Sequence, residues 1–263
     1  MELKRFMTLN QKEYDFIFSL GEACSSTEAL RKSDLQVVSN PLDWVVGPTF
    51  EERINFLLND FENFLNIEDL MPLNCTNDAE INLCDVYLNK RNNITFNHEF
   101  PVGCDYKTHF NKIKEKYNRR IKRLYEKINN AEKVLVVYIE TPNNKNKLDD
   151  NNRLIDGLNK IKTKFPNKQI DLLYFINDTS YKIMEYKTDI ITNEITKITG
   201  NYNRLDENLP PHVVNFEYFK EIFKQYKLKL PISFYIKNII IRYLILLIPS
   251  HTTRRKIRRK YHV

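Results

Sequence analysis

The chain has 263 residues and a formal net charge of +7, with 42% hydrophobic, 29% charged and 12% aromatic residues. That length and aromatic load support a full core, which excludes a disordered chain, and the absence of a fixed-period repeat excludes a solenoid. The charge is unevenly spread: eleven Lys or Arg and no Asp or Glu lie from Ile222 onward, so a mildly acidic body carries a cationic tail. This distribution argues against a nucleic-acid partner, because the basic run follows an apolar stretch and has no interleaved aromatic platforms.

In chain order, residues 14–20 read as a buried strand ended by Gly21. Cys24–Lys32 reads as a short helix, and residues 49–65 as an amphipathic helix opened by a capping box of Thr49 and Glu52. Residues 66–91 read as irregular or partly helical, 94–100 as a second strand, Tyr106–Asn130 as a long charged helix, and 134–139 as a strand. A polar loop leads to a helix near residues 153–164 and a buried strand at 169–176. Residues 181–209 carry short β-like pieces around Ile190 and Ile198, and 216–226 reads as helix ahead of Pro231. Strands alternating with helices, several of them continuously apolar, predict an α/β fold: a mixed, mainly parallel sheet with helices on both faces. That domain spans residues 1–228, and residues 229–263 form an amphipathic, cationic C-terminal segment.

The run Gly21-Glu22-Ala23-Cys24 carries the first chemical signal. A strand ends, a glycine turns the chain, and a cysteine opens a helix, which sets sulfur at the carboxyl end of a sheet. The helix N-terminus favours thiolate there, and backbone N–H groups around Gly21, Glu22 and Ser25 suit an oxyanion. A buried, inert cysteine is the competing reading. His98, at the end of the second strand between aromatics, is a candidate base for Cys24, with Asn97 beside it. Asp43, in Asn40-Pro41-Leu42-Asp43-Trp44, is a candidate for orienting His98; turn anchoring or capping of the Thr49 helix competes with that role. Cys24, Cys75, Cys84 and Cys104 form no CxxC pair and no zinc spacing with His, so no metal centre is expected. The first residues lack an apolar signal-peptide core, so a cytoplasmic protein with reduced thiols is expected.

Residues 230–248 are apolar but interrupted by Lys237 and Arg242. On a helical wheel Ser233, Lys237, Asn238 and Arg242 share one arc, which suits a helix lying in a membrane interface better than one crossing it. Arg254, Arg255, Arg258 and Arg259 follow, so a peripheral position on an anionic inner-membrane surface is expected. A buried terminal helix with a solvated basic end is the alternative.

The segments SLGEACSS, NPLDWV, FNHEF, KYNRRIKRLYEKI and VLVVYIE, in that order, resemble the bacterial family named putative papain-like cysteine peptidases. Its pattern runs SLGxxC, PFDW, HDF, a basic RR helix and a hydrophobic strand. The resemblance spans roughly residues 14–140 and implies that Cys24 is the nucleophile and His98 the base. Leu42 and Glu99 stand where the pattern has Phe and Asp, and Glu140 where it tends to have Arg. Relatives of this kind commonly sit among surface-polysaccharide genes, and a similar family is regarded as an acetyltransferase. The resemblance therefore implies a thiol acyl-transfer enzyme, hydrolase or transferase, acting on a peptide or a glycan precursor. It needs no cofactor beyond a coenzyme A thioester as acyl donor. The competing function is a non-catalytic partner in glycan assembly at a membrane surface.

Overall fold

A computed structural model describes residues 11–74, 84–103, 105–142, 150–204, 214–246, 248–250 and 253–254. The chain opens with β1 (Lys12–Tyr14), β2 (Phe16–Ser19), α1 (Cys24–Lys32), β3 (Val45–Val46) and α2 (Phe50–Leu58). A 3-10 turn at Ile67–Asp69 precedes β4 (Leu70–Asn74), β5 (Cys84–Asn89) and β6 (Ile94–Pro101). Then come α3 (Tyr106–Asn130), β7 (Lys133–Ile139), α4 (Asn151–Lys164), β8 (Gln169–Asn177), β9 (Tyr186–Ile190) and β10 (Ile195–Gly200). The last described elements are α5 (Phe216–Phe223), β11 (Tyr226–Leu228) and α6 (Ile232–Leu246).

The central sheet runs β2-β7-β8-β10-β9. β2, β7, β8 and β10 are parallel, and β9 closes one edge antiparallel. A separate sheet, β3-β6-β5-β4, is antiparallel throughout, and β1 pairs parallel with β11. The α/β class stands, but the expectation of a mainly parallel sheet is corrected to mixed sheets. The strand expected at 94–100 is β6 of the antiparallel sheet, whereas β4 and β5 were hidden in residues 66–91. Along β5 the inward positions include Asp85, 7% exposed, and Asn89, fully buried, so polar residues mask the period-two pattern.

Other boundaries move for local reasons. The strand expected at 14–20 breaks at Asp15, whose Oδ2 accepts from the N–H groups of Glu132 and Lys133. The helix expected at 49–65 has its capping box, Thr49 Oγ1 accepting from Glu52 N and Glu52 Oε2 from Thr49 N, but stops at Leu58. Asp60, Phe61 and Asn63 then adopt left-handed φ values of 54°, 58° and 56°. Phe61, Phe64 and Leu65 are still buried, so the apolar pattern was satisfied by a loop rather than by a continued helix. The helix expected at 216–226 ends at Phe223 because Tyr226 to Leu228 pair with β1.

Alternation along the central strands builds two cores. Phe16, Phe18, Val134, Val136 and Tyr138 face α2, α3, α4 and the antiparallel sheet. Ile17, Leu135, Val137 and Ile139 face α1 and α5 on the other side. After β2 the chain therefore crosses from one face, with α1, to the other, with β3 and α2. The turn between β2 and α1 is tight: a Cβ on Gly21 would lie 1.8 Å from Ser26 Oγ, so this position admits only glycine while α1 keeps its place.

Candidate active site

Cys24 is the first residue of α1, directly beyond the carboxyl end of β2, and is partly exposed. Ala23 is the N-cap and provides no side-chain cap, so the first N–H groups of the helix meet no capping side chain. Those of Cys24 and Ser25 donate toward the Cys24 sulfur. The N–H groups of Gly21 and Glu22 are engaged elsewhere, with Ser19 Oγ at 2.9 Å and the Ile139 carbonyl at 3.3 Å. That corrects the expected oxyanion set by removing Gly21 and Glu22 as donors; Ser25 keeps its place beside the sulfur. Glu22 instead braces the next loop, its Oε2 accepting from Thr141 N at 2.6 Å.

The expected thiolate is also corrected. Burial first, and then the carboxylate of Glu28 one turn along α1, raise the Cys24 thiol above its ordinary value. The backbone N–H groups pull the other way and do not prevail. This direction favours the protonated thiol, a form that needs a base at the moment of attack.

His98 lies on β6 and is exposed. Its position is set by strand register. Val45 pairs with Phe96 and Val46 with Thr95, so the antiparallel course brings Asp43 and Trp44 alongside Asn97 and His98. The Trp44 and His98 rings meet edge to face with centroids 6.0 Å apart. Trp44 also receives Arg31 of α1, whose guanidinium carbon lies 5.4 Å from the ring. Cys24, Glu28 and Arg31 follow i, i+4, i+7 spacing and so share one face of α1, the face that Trp44 meets.

Asp43 is 1% exposed. Its Oδ2 accepts from Gln36 Nε2 and Asn40 N, each at 2.7 Å, and the Thr27 hydroxyl also faces the carboxylate. These bonds anchor the 36–43 turn, which is the competing role noted for this residue. Burial pushes its pKa up to about 6, against the pull of the Asn40 N–H and of Arg31 and Arg120. The Thr49 helix is capped by Thr49 itself, so Asp43 has no capping role.

Arg53 was not singled out in the sequence, yet it organises the site. It is fully buried, donating to the carbonyls of Pro48, Leu42, Val45 and Glu22 at 3.0, 3.3, 3.0 and 2.8 Å. One guanidinium thus ties the Cys24 loop to β3, and β3 pairs with the strand that carries His98. The signal was present: Arg53 falls among Phe50, Ile54 and Leu57 on the apolar stripe of α2, where a cation must find partners. Glu99, beside His98, is a second buried charge. It accepts from Tyr117 at 2.9 Å and pairs with Lys116 and Arg120 of α3. Glu140, at the end of β7, is buried and accepts from Tyr174 at 2.9 Å.

A cavity of about 190 Å³ between the Phe61–Asn66 loop and α3 includes none of Cys24, Asp43 or His98. Among the described residues no three His, Cys, Asp or Glu side chains group to hold a metal ion. Cys75 and Cys104 lie outside the described residues, as do Arg255, Arg258 and Arg259. Lys237 and Arg242 fall within α6, and Arg254 N donates to the Ser250 carbonyl. α6 exposes Ile236, Ile240, Tyr243 and Leu244 at helical spacing. No described helix is long and apolar enough to cross a membrane.

No solved structure matches the chain. A curated relative, the uncharacterized protein R408 of Acanthamoeba polyphaga mimivirus, is 28% identical over 177 residues, covering 62% of this chain and 78% of its own length. A family profile described as "Putative papain-like cysteine peptidase (DUF1796)" matches residues 15–178, which include β2, the Cys24 turn, Trp44, Arg53, His98 and the parallel strands through β8. That match covers most of the chain and the whole of the candidate site, and the protein belongs to this papain-like cysteine peptidase family.

Proposed function

We propose that the protein is a thiol acyl-transfer enzyme with Cys24 as nucleophile and His98 as general base. The observation that carries this reading is the Arg53 tether, which holds the Cys24 turn and the β3–β6 pair in one assembly. The upward push on the Cys24 thiol favours a reaction of the general-base kind. As sulfur attacks the acyl carbonyl, a C–S bond forms and the thiol proton passes to the imidazole. The carbonyl oxygen gathers negative charge next to the N–H groups at the start of α1. The acyl carbon then loses its leaving group, which takes the proton back from the imidazolium and leaves a thioester on Cys24. Water as acceptor completes a hydrolysis; a sugar hydroxyl or an amine completes a transfer.

The transferase outcome, with a coenzyme A thioester as donor and a surface-glycan precursor as acceptor, is favoured by α6. Its exposed apolar stripe, followed in the sequence by six Lys or Arg between residues 254 and 260, suits an anionic lipid surface. This makes the protein peripheral at the inner membrane face. Vesicle sedimentation tests that placement: the full chain is expected to pellet with phosphatidylserine vesicles, and a chain lacking residues 230–263 to stay in solution. Equal pelleting of both forms would refute it.

The chemistry is tested by incubating the protein with radiolabelled acetyl-coenzyme A and, separately, with a peptide thioester. Label is expected on Cys24 and absent from Cys24→Ala. Label retained by Cys24→Ala, or none on the wild type with either donor, would leave the second reading, a non-catalytic partner in glycan assembly.

A further inference from the structure

Three arginines converge where α1 and α3 meet the 36–43 turn. Arg31 Nη2 donates to Ser39 Oγ at 2.7 Å, and Arg123 Nη2 to the carbonyl of the same residue at 2.5 Å. Arg120 lies 3.5 Å from Glu99. All three side chains are partly exposed, although the nitrogens Arg31 Nε and Arg123 Nε are themselves buried. Burial and the presence of Arg120 oppose the charge on Arg31 and on Arg123, while Asp43 supports it.

The local charges do not balance. Arg31, Lys116, Arg119, Arg120 and Arg123 face Glu28, Asp43 and Glu99, a surplus of two positive charges. Nor are the donors satisfied. Among the described residues Arg31 Nε and Arg123 Nε find no acceptor, and the amide of Asn40, 1% exposed, makes no hydrogen bond through either atom. Buried donors of this kind are rare in folded proteins unless a partner arrives. Guanidinium groups present paired N–H donors matched to oxyanions. Donors from two helices and a turn suit the oxygens of a tetrahedral anion better than a planar carboxylate.

We propose that Arg31, Arg120, Arg123 and Asn40 form a subsite for a phosphoryl dianion carried by the substrate. Its use in catalysis rests on the acyl-transfer reading, since it lies at the end of the α1 face that begins with Cys24. The phosphoryl group belongs either to the donor or to a phosphorylated acceptor; the chemistry recognised is the same.

Trp44 is the chain's single tryptophan and touches both Arg31 and His98, so its fluorescence reads this site directly. The full chain is titrated with inorganic phosphate at constant ionic strength, with chloride as control, and calorimetry gives the affinity independently. Saturable binding is expected, weakened about tenfold or more in Arg31→Gln and Arg123→Gln because a charge-assisted pair is lost. Lys122→Gln, on the exposed side of α3, is expected to bind as wild type. Arg123→Lys keeps the charge and loses the fork, so weaker binding is expected in a variant whose charge balance is intact. Phosphate indistinguishable from chloride, or equal affinity in the folded arginine variants, would overturn the subsite. Competition by adenosine 3′,5′-bisphosphate assigns it to the donor and competition by glucose 1-phosphate to the acceptor; exclusion of both overturns its role in substrate binding. Cys24→Ser is expected to bind phosphate normally, so a failure of acylation and a failure of the subsite are separately visible.

Discussion

Glu28 and Cys24 share a helix face one turn apart, and the carboxylate opposes ionisation of the thiol. Glu28→Gln is expected to lower the pH at which Cys24 reacts with iodoacetamide and to speed alkylation at neutral pH; an unchanged pH profile would show that burial alone sets the thiol. Asp43 offers a second titration. Its folded pKa of about 6 lies above the ordinary carboxylate value, so the folded state holds the proton more tightly than the unfolded one. Stability falls as pH rises through that interval, and Asp43→Asn removes this dependence. Urea unfolding is expected to show the wild type losing about 2–3 kcal/mol relative to Asp43→Asn between about pH 4 and 7. Arg53 is the residue on which the site's geometry depends. Arg53→Met strands four carbonyls and is expected to cost about 3–5 kcal/mol. Arg53→Lys is expected to fall between, because an ammonium has three donors for four acceptors.

At the scale of elements, α2 carries Arg53 and is held by α4 through a gap that glycine leaves open. A Cβ on Gly157 would lie 2.7 Å from Ile54 Cδ1 and 2.9 Å from the Phe50 ring. Helix propensity alone predicts that Gly157→Ala stabilises by about 1 kcal/mol. The packing predicts the opposite sign, a loss of about 1–3 kcal/mol with slower acylation at Cys24, because α2 must shift to admit the methyl group. Thermal unfolding decides between the two. The elements that were legible in sequence are those whose signals are local. The strands around Val136 and Leu173 are buried on both faces and read as unbroken apolar runs. In the antiparallel sheet β6 was legible but β5 was not, since Asp85 and Asn89 are inward yet polar, and β11 was not, since its strand character comes only from pairing with β1 some two hundred residues earlier. For the same reason Cys24, Trp44 and His98 could be picked out as local motifs, whereas the tie from Arg53 to Glu22 and the pairing of Glu99 with α3 join segments that the sequence does not link.

For the whole molecule, the two faces of the central sheet have separate tasks. One face holds α1, which carries Cys24; the other holds the antiparallel sheet, whose β6 carries His98. The site lies where the chain crosses between them, and Arg53 bridges the crossing. On the proposed reading the segment after β11 is the lipid-binding surface, so removing residues 230–263 is expected to abolish vesicle binding while leaving acylation of Cys24 intact. The central claim, that the imidazole of His98 takes the proton from the thiol of Cys24, is tested most directly by the rate of acyl-enzyme formation in His98→Gln, followed by intact-protein mass spectrometry. The predicted result is a fall of about 10²–10⁴-fold, with the fold and the Trp44 emission otherwise preserved. Acylation of Cys24 at the wild-type rate in that variant would contradict it.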